Sequence, residues 1–283
     1  MARPSSSLLR RALARVVVLV VALSLLRVSG CPEQLFYLPS RESSTAPHGI
    51  EDVFFTTPDG LSLHGWLLRP PSAVPGERLP VVLHCHGNAG SVIDHLAFSE
   101  FLVRDGFAVF LFDYRGYGRS QPGRPTRHRL MLDTHAALDA LLARPDIDHS
   151  RIGVLGVSLG GVFAARLAME RPEVRACALV AAFSSFPAIA HDHFPILGPL
   201  LIGSGLAPAE SVAGLGLKPL LLMHGESDTI VGPRHANRIA DAARRAGVHV
   251  EVARSPAGHN DILDHPPEQM RLSAFFRSAL APR

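Results

Sequence analysis

The sequence predicts an α/β fold: an eight-stranded, mostly parallel sheet flanked by helices, with a small lid. Three observations carry that prediction. Short apolar or β-branched runs alternate with helix-length stretches from about residue 50 to the C-terminus, the rhythm of a parallel sheet covered on both faces. Two such runs at the head of the series flank a turn signal and read as an antiparallel hairpin. The chain has 283 residues, 47% of them hydrophobic and 19% charged, and a chain of this size buries roughly 70–75% of its unfolded surface. That composition excludes a disordered tail, a collagen-like repeat and a disulfide-stapled mini-protein.

Taken in order, Val53–Thr56 and Leu61–Leu68 surround Pro58-Asp59-Gly60 and form the hairpin. Val81–Cys85, Ala108–Phe112, Ile152–Leu155, Ala176–Ala181, Leu220–Met223 and Val248–Ala253 are short apolar runs of the kind that fill buried parallel strands. Helices are expected near Val92–Arg104, Arg127–Ala143, Leu159–Glu170 and Arg234–Ala246, with a last one near Pro267–Leu280. The rhythm breaks between Phe183 and Leu217, a stretch rich in Gly, Pro and apolar residues. An insertion there is expected to form a small lid of about 184–216 above the strand ends, an ordinary long connection being the alternative, in a folded domain spanning 50–283. There is no internal repeat.

The isoelectric point near 9.1 raises the question of an anionic partner, which the position of the charges answers. Arg3, Arg10, Arg11, Arg15 and Arg27 lie in the first 31 residues, which contain no acid, so removing that segment takes the net charge from +3 to 3 − 5 = −2. The excess belongs to the N-terminus. No Gly-rich phosphate loop and no aromatic-interleaved basic patch is present, so no nucleic-acid partner is expected.

Residues 1–31 read as a signal peptide: basic start, an apolar run from Val16 to Leu26, then Val28-Ser29-Gly30-Cys31. A run of eleven residues, apolar but for Ser24, suits a signal core, whereas a span takes about 20. Val28–Cys31 resembles the bacterial lipobox, whose cysteine becomes the lipidated first residue. The expectation is therefore a lipoprotein of the bacterial cell envelope, membrane-anchored through Cys31. Arg27, just before the box, departs from the usual pattern and keeps a single uncleaved N-terminal anchor open as the alternative. Residues 32–49, with their Ser and Pro, read as a tether. Cys85 and Cys177 fall in strand-like runs and read as small buried side chains.

Gly156-Val157-Ser158-Leu159-Gly160 is a G-x-S-x-G that follows a predicted strand and opens a predicted helix, the context in which the pattern is specific. A serine hydroxyl is a weak nucleophile at neutral pH and needs a base and an orienting acid. His259, in Ala257-Gly258-His259-Asn260-Asp261, lies beyond the last predicted strand, and Asp228, in His224-Gly225-Glu226-Ser227-Asp228, beyond the one before it. All three thus emerge at one sheet edge, in the order Ser, Asp, His; Glu226 is the rival acid. An oxyanion hole requires two preorganised N–H donors. Leu159 offers one, and the loop His86-Gly87-Asn88-Ala89-Gly90 offers the other, with Asn88 chosen over Ala89 and His86 read as structural.

HGNAG at 86–90, DYRGYGRS at 113–120, GVSLGG at 156–161, HGESDTIV at 224–231 and AGHND at 257–261 together resemble the α/β-hydrolase superfamily. More narrowly the chain is similar to the BEM46-like branch, related to ABHD-type depalmitoylases and serine aminopeptidase-like proteins. The resemblance covers about residues 50–280 and is specific for fold and triad, not for substrate. It implies the α/β-hydrolase fold, a triad of Ser158, His259 and Asp228, and Asp113 and Arg115 holding the active-site floor. The expected activity is ester or thioester hydrolysis on a small-molecule or lipid acyl substrate, with no cofactor. A serine peptidase with the same triad is the enzymatic alternative. A non-catalytic lipid-anchored binding protein is the other, although its expected mark, a damaged triad, is missing. His191-Asp192-His193 carries zinc-ligand residue types but reads as solvated loop, so no metal is expected. Phe186, Phe194, Ile196, Leu197, Leu200, Leu201 and Ile202 read as lining an acyl pocket, touching a membrane, or packing the lid down. The oligomeric state is left open.

Overall fold

The computed structural model describes residues 17–18, 21–41 and 45–282. Most of the predicted leader (1–16 and 19–20) and residues 42–44 of the predicted tether lie outside them.

Eight strands form one sheet: β1 (Glu51–Thr56), β2 (Ser62–Leu68), β3 (Leu79–Cys85), β4 (Ala108–Asp113), β5 (Ile147–Val157), β6 (Val174–Val180), β7 (Leu220–Gly225) and β8 (Val250–Ser255). Their order across the sheet is β8-β7-β6-β5-β3-β4-β2-β1. The β1–β2 and β2–β4 ladders are antiparallel and the other five parallel. The hairpin therefore forms one edge of a parallel sheet, as its turn signal predicts. Inner strands β3 and β4 are buried along their whole length, which is why they read as unbroken apolar runs. Alternate residues serve opposite faces: Val81, Leu83 and Cys85 join one core and Val82 the other, as do Phe110 and Phe112 against Val109 and Leu111. Cys85 and Cys177 are buried in the first of these cores as free thiols.

Helices cover both faces. Thr126 caps α2 (Arg127–Leu142), its hydroxyl accepting the Arg129 N–H at 3.3 Å. The others are α3 (Gly160–Glu170), α7 (Arg234–Arg245) and α8 (Pro266–Ala279), the last with proline in its first turn. The lid between β6 and β7 contains α4 (Phe186–His193), α5 (Leu197–Leu201) and α6 (Pro208–Ser211).

Two expectations need correction. The predicted helix Val92–Arg104 is a single α-turn, α1 (Val92–His95), followed by 3₁₀ turns at Leu96–Phe98 and Glu100–Asp105. Ser99, at φ −145°, leaves the helical range, and its hydroxyl is held 2.9 Å from His84 Nδ1 on β3. That contact draws the chain onto the sheet and interrupts the helix. The stretch expected as a tether lies on the domain instead. Pro32–Phe36 is a 3₁₀ turn, Tyr37 is buried, and Leu38–Pro39 pairs in parallel with Ala89–Gly90. The Tyr37 hydroxyl donates to Glu33 Oε1 at 2.6 Å, and Glu33 is paired with Arg127 at 3.0 Å. Pattern reasoning missed this strap because it has neither a helix period nor a strand alternation.

Residues 21–28 are helical and mostly exposed. Among the described residues, no helix is long and apolar enough to cross a membrane.

Candidate active site

Ser158 stands where β5 ends and α3 begins, with φ +52°, a left-handed backbone that a residue with a Cβ adopts only when its surroundings impose it. The flanking glycines make this possible. A Cβ on Gly160 would lie 1.9 Å from the Cys85 carbonyl oxygen, and one on Gly156 would lie 2.6 Å from the Gly161 Cα. The helix start therefore sits against the end of β3 as only glycine permits.

His259 follows β8 and Asp228 follows β7, and the parallel order brings both to Ser158. His259 Nε2 is 3.0 Å from Ser158 Oγ, and His259 Nδ1 is 2.7 Å from Asp228 Oδ2. A carboxylate only accepts, so the ring donates from Nδ1 and its Nε2 lone pair faces the serine hydroxyl. Asp228 is itself fixed: Oδ1 accepts the Ile230 and Val231 N–H groups at 2.9 and 2.8 Å, and His224 Nε2 lies 3.3 Å from Oδ2. Burial alone would raise its pKa. The bonds from His224, His259 and the Val231 amide outweigh burial and hold the carboxyl well below the usual range. The rival acid Glu226 is exposed, and it is Asp228 that meets His259.

Gly87, Asn88 and Ala89 of the loop after β3 line the same cavity as Ser158 and His259. His86 Nδ1 donates to the Gly87 carbonyl at 2.9 Å. A trans peptide directs its N–H opposite to its C=O, so this bond sets the direction of the Asn88 N–H. The Asn88 carbonyl is in turn held by the Leu38 N–H at 2.8 Å and the Tyr117 hydroxyl at 2.9 Å. Both peptides flanking Asn88 are thus pinned. The Leu159 amide opens α3, where first-turn N–H groups have no acceptor within the helix. Burial pushes His86 well below its ordinary pKa, helped by His95 and His84, and keeps the imidazole neutral beside the site.

These groups open onto a cavity of about 660 Å³. Its walls come from the strap (Pro32, Leu35, Phe36), the lid (Ile189, Phe194, Leu197) and Phe98, with Ser158 and His259 among the lining residues. Phe36 meets Phe186 edge-on, ring centroids 5.2 Å apart. Of the lid residues expected to line an acyl pocket, Phe194, Leu197, Leu201 and Ile202 do so. Phe186 is buried in the core behind them, and Ile196 and Leu200 face outward.

Other predicted residues serve elsewhere. Asp113 accepts the Val92 N–H at 2.9 Å and so supports the loop after β3. Arg115 is away from the site: it clamps Asp59 of the hairpin turn (2.7 Å) to Asp133 of α2 (2.6 Å), so its expected role in the active-site floor is corrected. In His191-Asp192-His193, Asp192 is ion-paired with Arg234 and accepts a hydrogen bond from His235 Nε2, and the two histidines lie against the Pro195 and Ile230 carbonyls. No cluster of metal-ligating side chains occurs among the described residues.

Asp192 also ends a second Ser–His–Asp chain. Ser184 Oγ is 2.9 Å from His235 Nδ1, and His235 Nε2 is 2.6 Å from Asp192 Oδ2. Its Nδ1 also accepts the Ser184 N–H at 3.0 Å, and none of the three lines the cavity. It fastens the lid to α7. Sequence reasoning missed it, along with Leu38, Tyr117 and His224. Tyr117 had a signal, its place in DYRGYG; the others are defined by contacts between distant segments.

A family model described as the alpha/beta hydrolase fold matches residues 80–197. Uncharacterized protein YfhR of Escherichia coli O157:H7 is 32% identical over 278 residues, covering 94% of this chain and 95% of its own. WAV2 of Arabidopsis thaliana, an alpha/beta hydrolase domain-containing protein, is 33% identical over 75% of this chain and 76% of its own. The chain belongs to the α/β-hydrolase family. Solved members share the fold: Pyrococcus furiosus esterase Pf2001 superposes with a TM-score of 0.71 at 22% identity, over 87% of this chain and 99% of that one. A peptidase does so as well. Pyrococcus horikoshii acylaminoacyl peptidase gives 0.67 at 18%, over 83% of this chain and 42% of that one. At these identities the likeness to an esterase and to a peptidase shows a shared fold.

Proposed function

We propose that this α/β-hydrolase cleaves ester or thioester bonds of apolar acyl substrates through an acyl-enzyme on Ser158. The observation that carries the reading is the hydrogen-bonded chain Ser158–His259–Asp228 opening onto an apolar cavity. Ser158 Oγ attacks the acyl carbonyl as its proton passes to His259 Nε2. The tetrahedral oxyanion is held by the Leu159 and Asn88 N–H groups, donors of a kind whose loss costs about 10²–10³ in turnover. Collapse breaks the bond to the alcohol or thiol, which leaves with the proton from His259. Water then repeats the sequence and frees the acid. Asp228 orients the ring and stabilises the imidazolium.

The ester reading is favoured over the peptidase one by the cavity lining, which holds no Asp or Glu among the described residues and so offers no carboxylate for a substrate's ammonium group. Fluorophosphonate labelling tests the triad: Ser158→Ala abolishes it, and persistent labelling of the pure variant overturns the assignment. A panel of p-nitrophenyl esters, acyl thioesters and aminoacyl amides separates the bond classes, with amides expected to be slowest.

The same proposal places the enzyme in the bacterial envelope, anchored by lipid on Cys31, which is exposed, or by an uncleaved leader. Cys31→Ala distinguishes the two. Under the lipid reading it loses incorporation of labelled fatty acid and leaves the membrane fraction.

A further inference from the structure

We propose that the mouth of the cavity docks directly on a lipid bilayer, so that the acyl substrate enters from the membrane rather than from water. The proposal deepens the envelope-anchored acyl hydrolase reading and rests on it.

Several observations converge on one rim. Leu35 of the strap and Phe194 and Leu197 of the lid line the cavity, yet they are 75%, 63% and 51% exposed. Beside them Ile196 and Leu200 are 79% and 50% exposed and point away from the cavity. Large apolar side chains clustered round a pocket entrance mark an interaction surface, whereas scattered ones do not. Between Phe194 and Pro208 the lid carries no charged residue at all, being Phe-Pro-Ile-Leu-Gly-Pro-Leu-Leu-Ile-Gly-Ser-Gly-Leu-Ala-Pro.

What covers this rim is indicated by the segment that reaches it. The apolar run of the leader ends in the helical residues 21–28, and the chain arrives at the lid there: the Arg27 guanidinium is within reach of Gly203, and Arg124 Nη2 donates to the Ser29 carbonyl at 3.4 Å. Cys31 is followed directly by Pro32, a wall of the cavity. Either form of anchor, acyl chains on Cys31 or the apolar leader itself, therefore leaves the mouth no room to stand away from the lipid surface. Arg124 borders the rim in either form, and Arg27 joins it where the leader is retained, a basic charge suited to anionic headgroups. A bilayer is thus favoured over a second copy of the chain, which would have to bring its own anchor to the same rim.

The test uses the full-length chain in vesicles of phosphatidylethanolamine and phosphatidylglycerol. The sole tryptophan, Trp66, is buried, so Leu200→Trp introduces a reporter at the rim. Bromination of the lipid acyl chains is expected to quench this new emission by half or more while Trp66 in the parent protein is unaffected. A paired variant, Ile196→Glu with Leu200→Glu, touches neither Ser158 nor His259. It is expected to remain with the vesicles and to hydrolyse soluble p-nitrophenyl butyrate within twofold of the parent, while losing at least tenfold on a long-chain acyl ester embedded in the bilayer. Absence of quenching, or an unchanged rate on the embedded ester, overturns the proposal. If the rim tryptophan responds to protein concentration instead of brominated lipid, the surface is an interface between copies and the membrane assignment is wrong. Failure of the anchoring reading looks different, because the parent chain would not float with vesicles. Failure of the hydrolase reading would remove activity on both esters.

Discussion

The Leu38 amide donates to the Asn88 carbonyl across 2.8 Å, which makes a segment just after the leader part of the scaffold of the oxyanion loop. Asn88 N–H can serve a developing oxyanion only if the loop is held before the substrate arrives, and Leu38 and Tyr117 share that work. Leu38→Pro removes the donor. A single hydrogen bond is worth about 1 kcal/mol, so kcat on a short ester is expected to fall roughly five- to tenfold with little change in KM. Stopped-flow or steady-state kinetics on p-nitrophenyl acetate measures this, and a change confined to KM would place the strap in binding alone.

Asp228 is ionised and shared among His259, His224 and two backbone amides. Asp228→Asn preserves shape but places a donor against Nδ1, which favours the wrong tautomer of the ring. The expected loss in kcat is on the order of 10⁴, with fluorophosphonate labelling slowed in parallel and thermal stability close to the parent. Unchanged kinetics would move the orienting role elsewhere.

The end of β3 and the start of α3 touch through Gly160. Gly160→Ala would drive a methyl group into the Cys85 carbonyl, at 1.9 Å, so backbone has to move. The expected cost is about 3 kcal/mol or more, equivalent to a fall in Tm of about 8 °C, read by calorimetry together with loss of activity. Full stability would show that the elbow is looser than its geometry.

Four histidines are held below their ordinary pKa, in each case by burial first: His84, His86 and His95 beside the site, and His235 between Ser184 and Asp192. The unfolded chain then binds more protons than the folded one, so stability rises with pH across this range. The contribution is complete above about pH 6.5, the free histidine value, and is lost as the pH falls from there through the folded values. Urea midpoints at pH 7.5 and 5.5 are expected to show this loss, and His235→Gln, which cannot titrate, is expected to lessen the difference. A midpoint independent of pH across that range would contradict it.

Ile189 lines the cavity from α4. Ile189→Trp reduces the space available to an acyl chain, and each methylene in an apolar pocket is worth about 1–3 kcal/mol. The expected outcome is a loss of roughly tenfold in kcat/KM for long acyl esters with short ones nearly unchanged, measured over a p-nitrophenyl ester series.

Much of this protein was legible in its residues. Apolar runs in β3 to β7 announced a parallel sheet because inner strands are buried on both faces. The G-x-S-x-G at a strand–helix junction, with Asp228 and His259 after later strands, announced which side chains would meet, because parallel strands end at the same edge. Five arginines before Cys31 explained the isoelectric point. Tertiary structure alone decided the rest. That Ser99 breaks a helix by turning to His84, that Arg115 serves the hairpin turn, and that Pro32, Leu35 and Phe36 wall the cavity all depend on contacts between segments remote in sequence. Such contacts have no period and no local propensity. They arise where the folded sheet brings the surfaces together, and packing there outweighs what each segment prefers on its own.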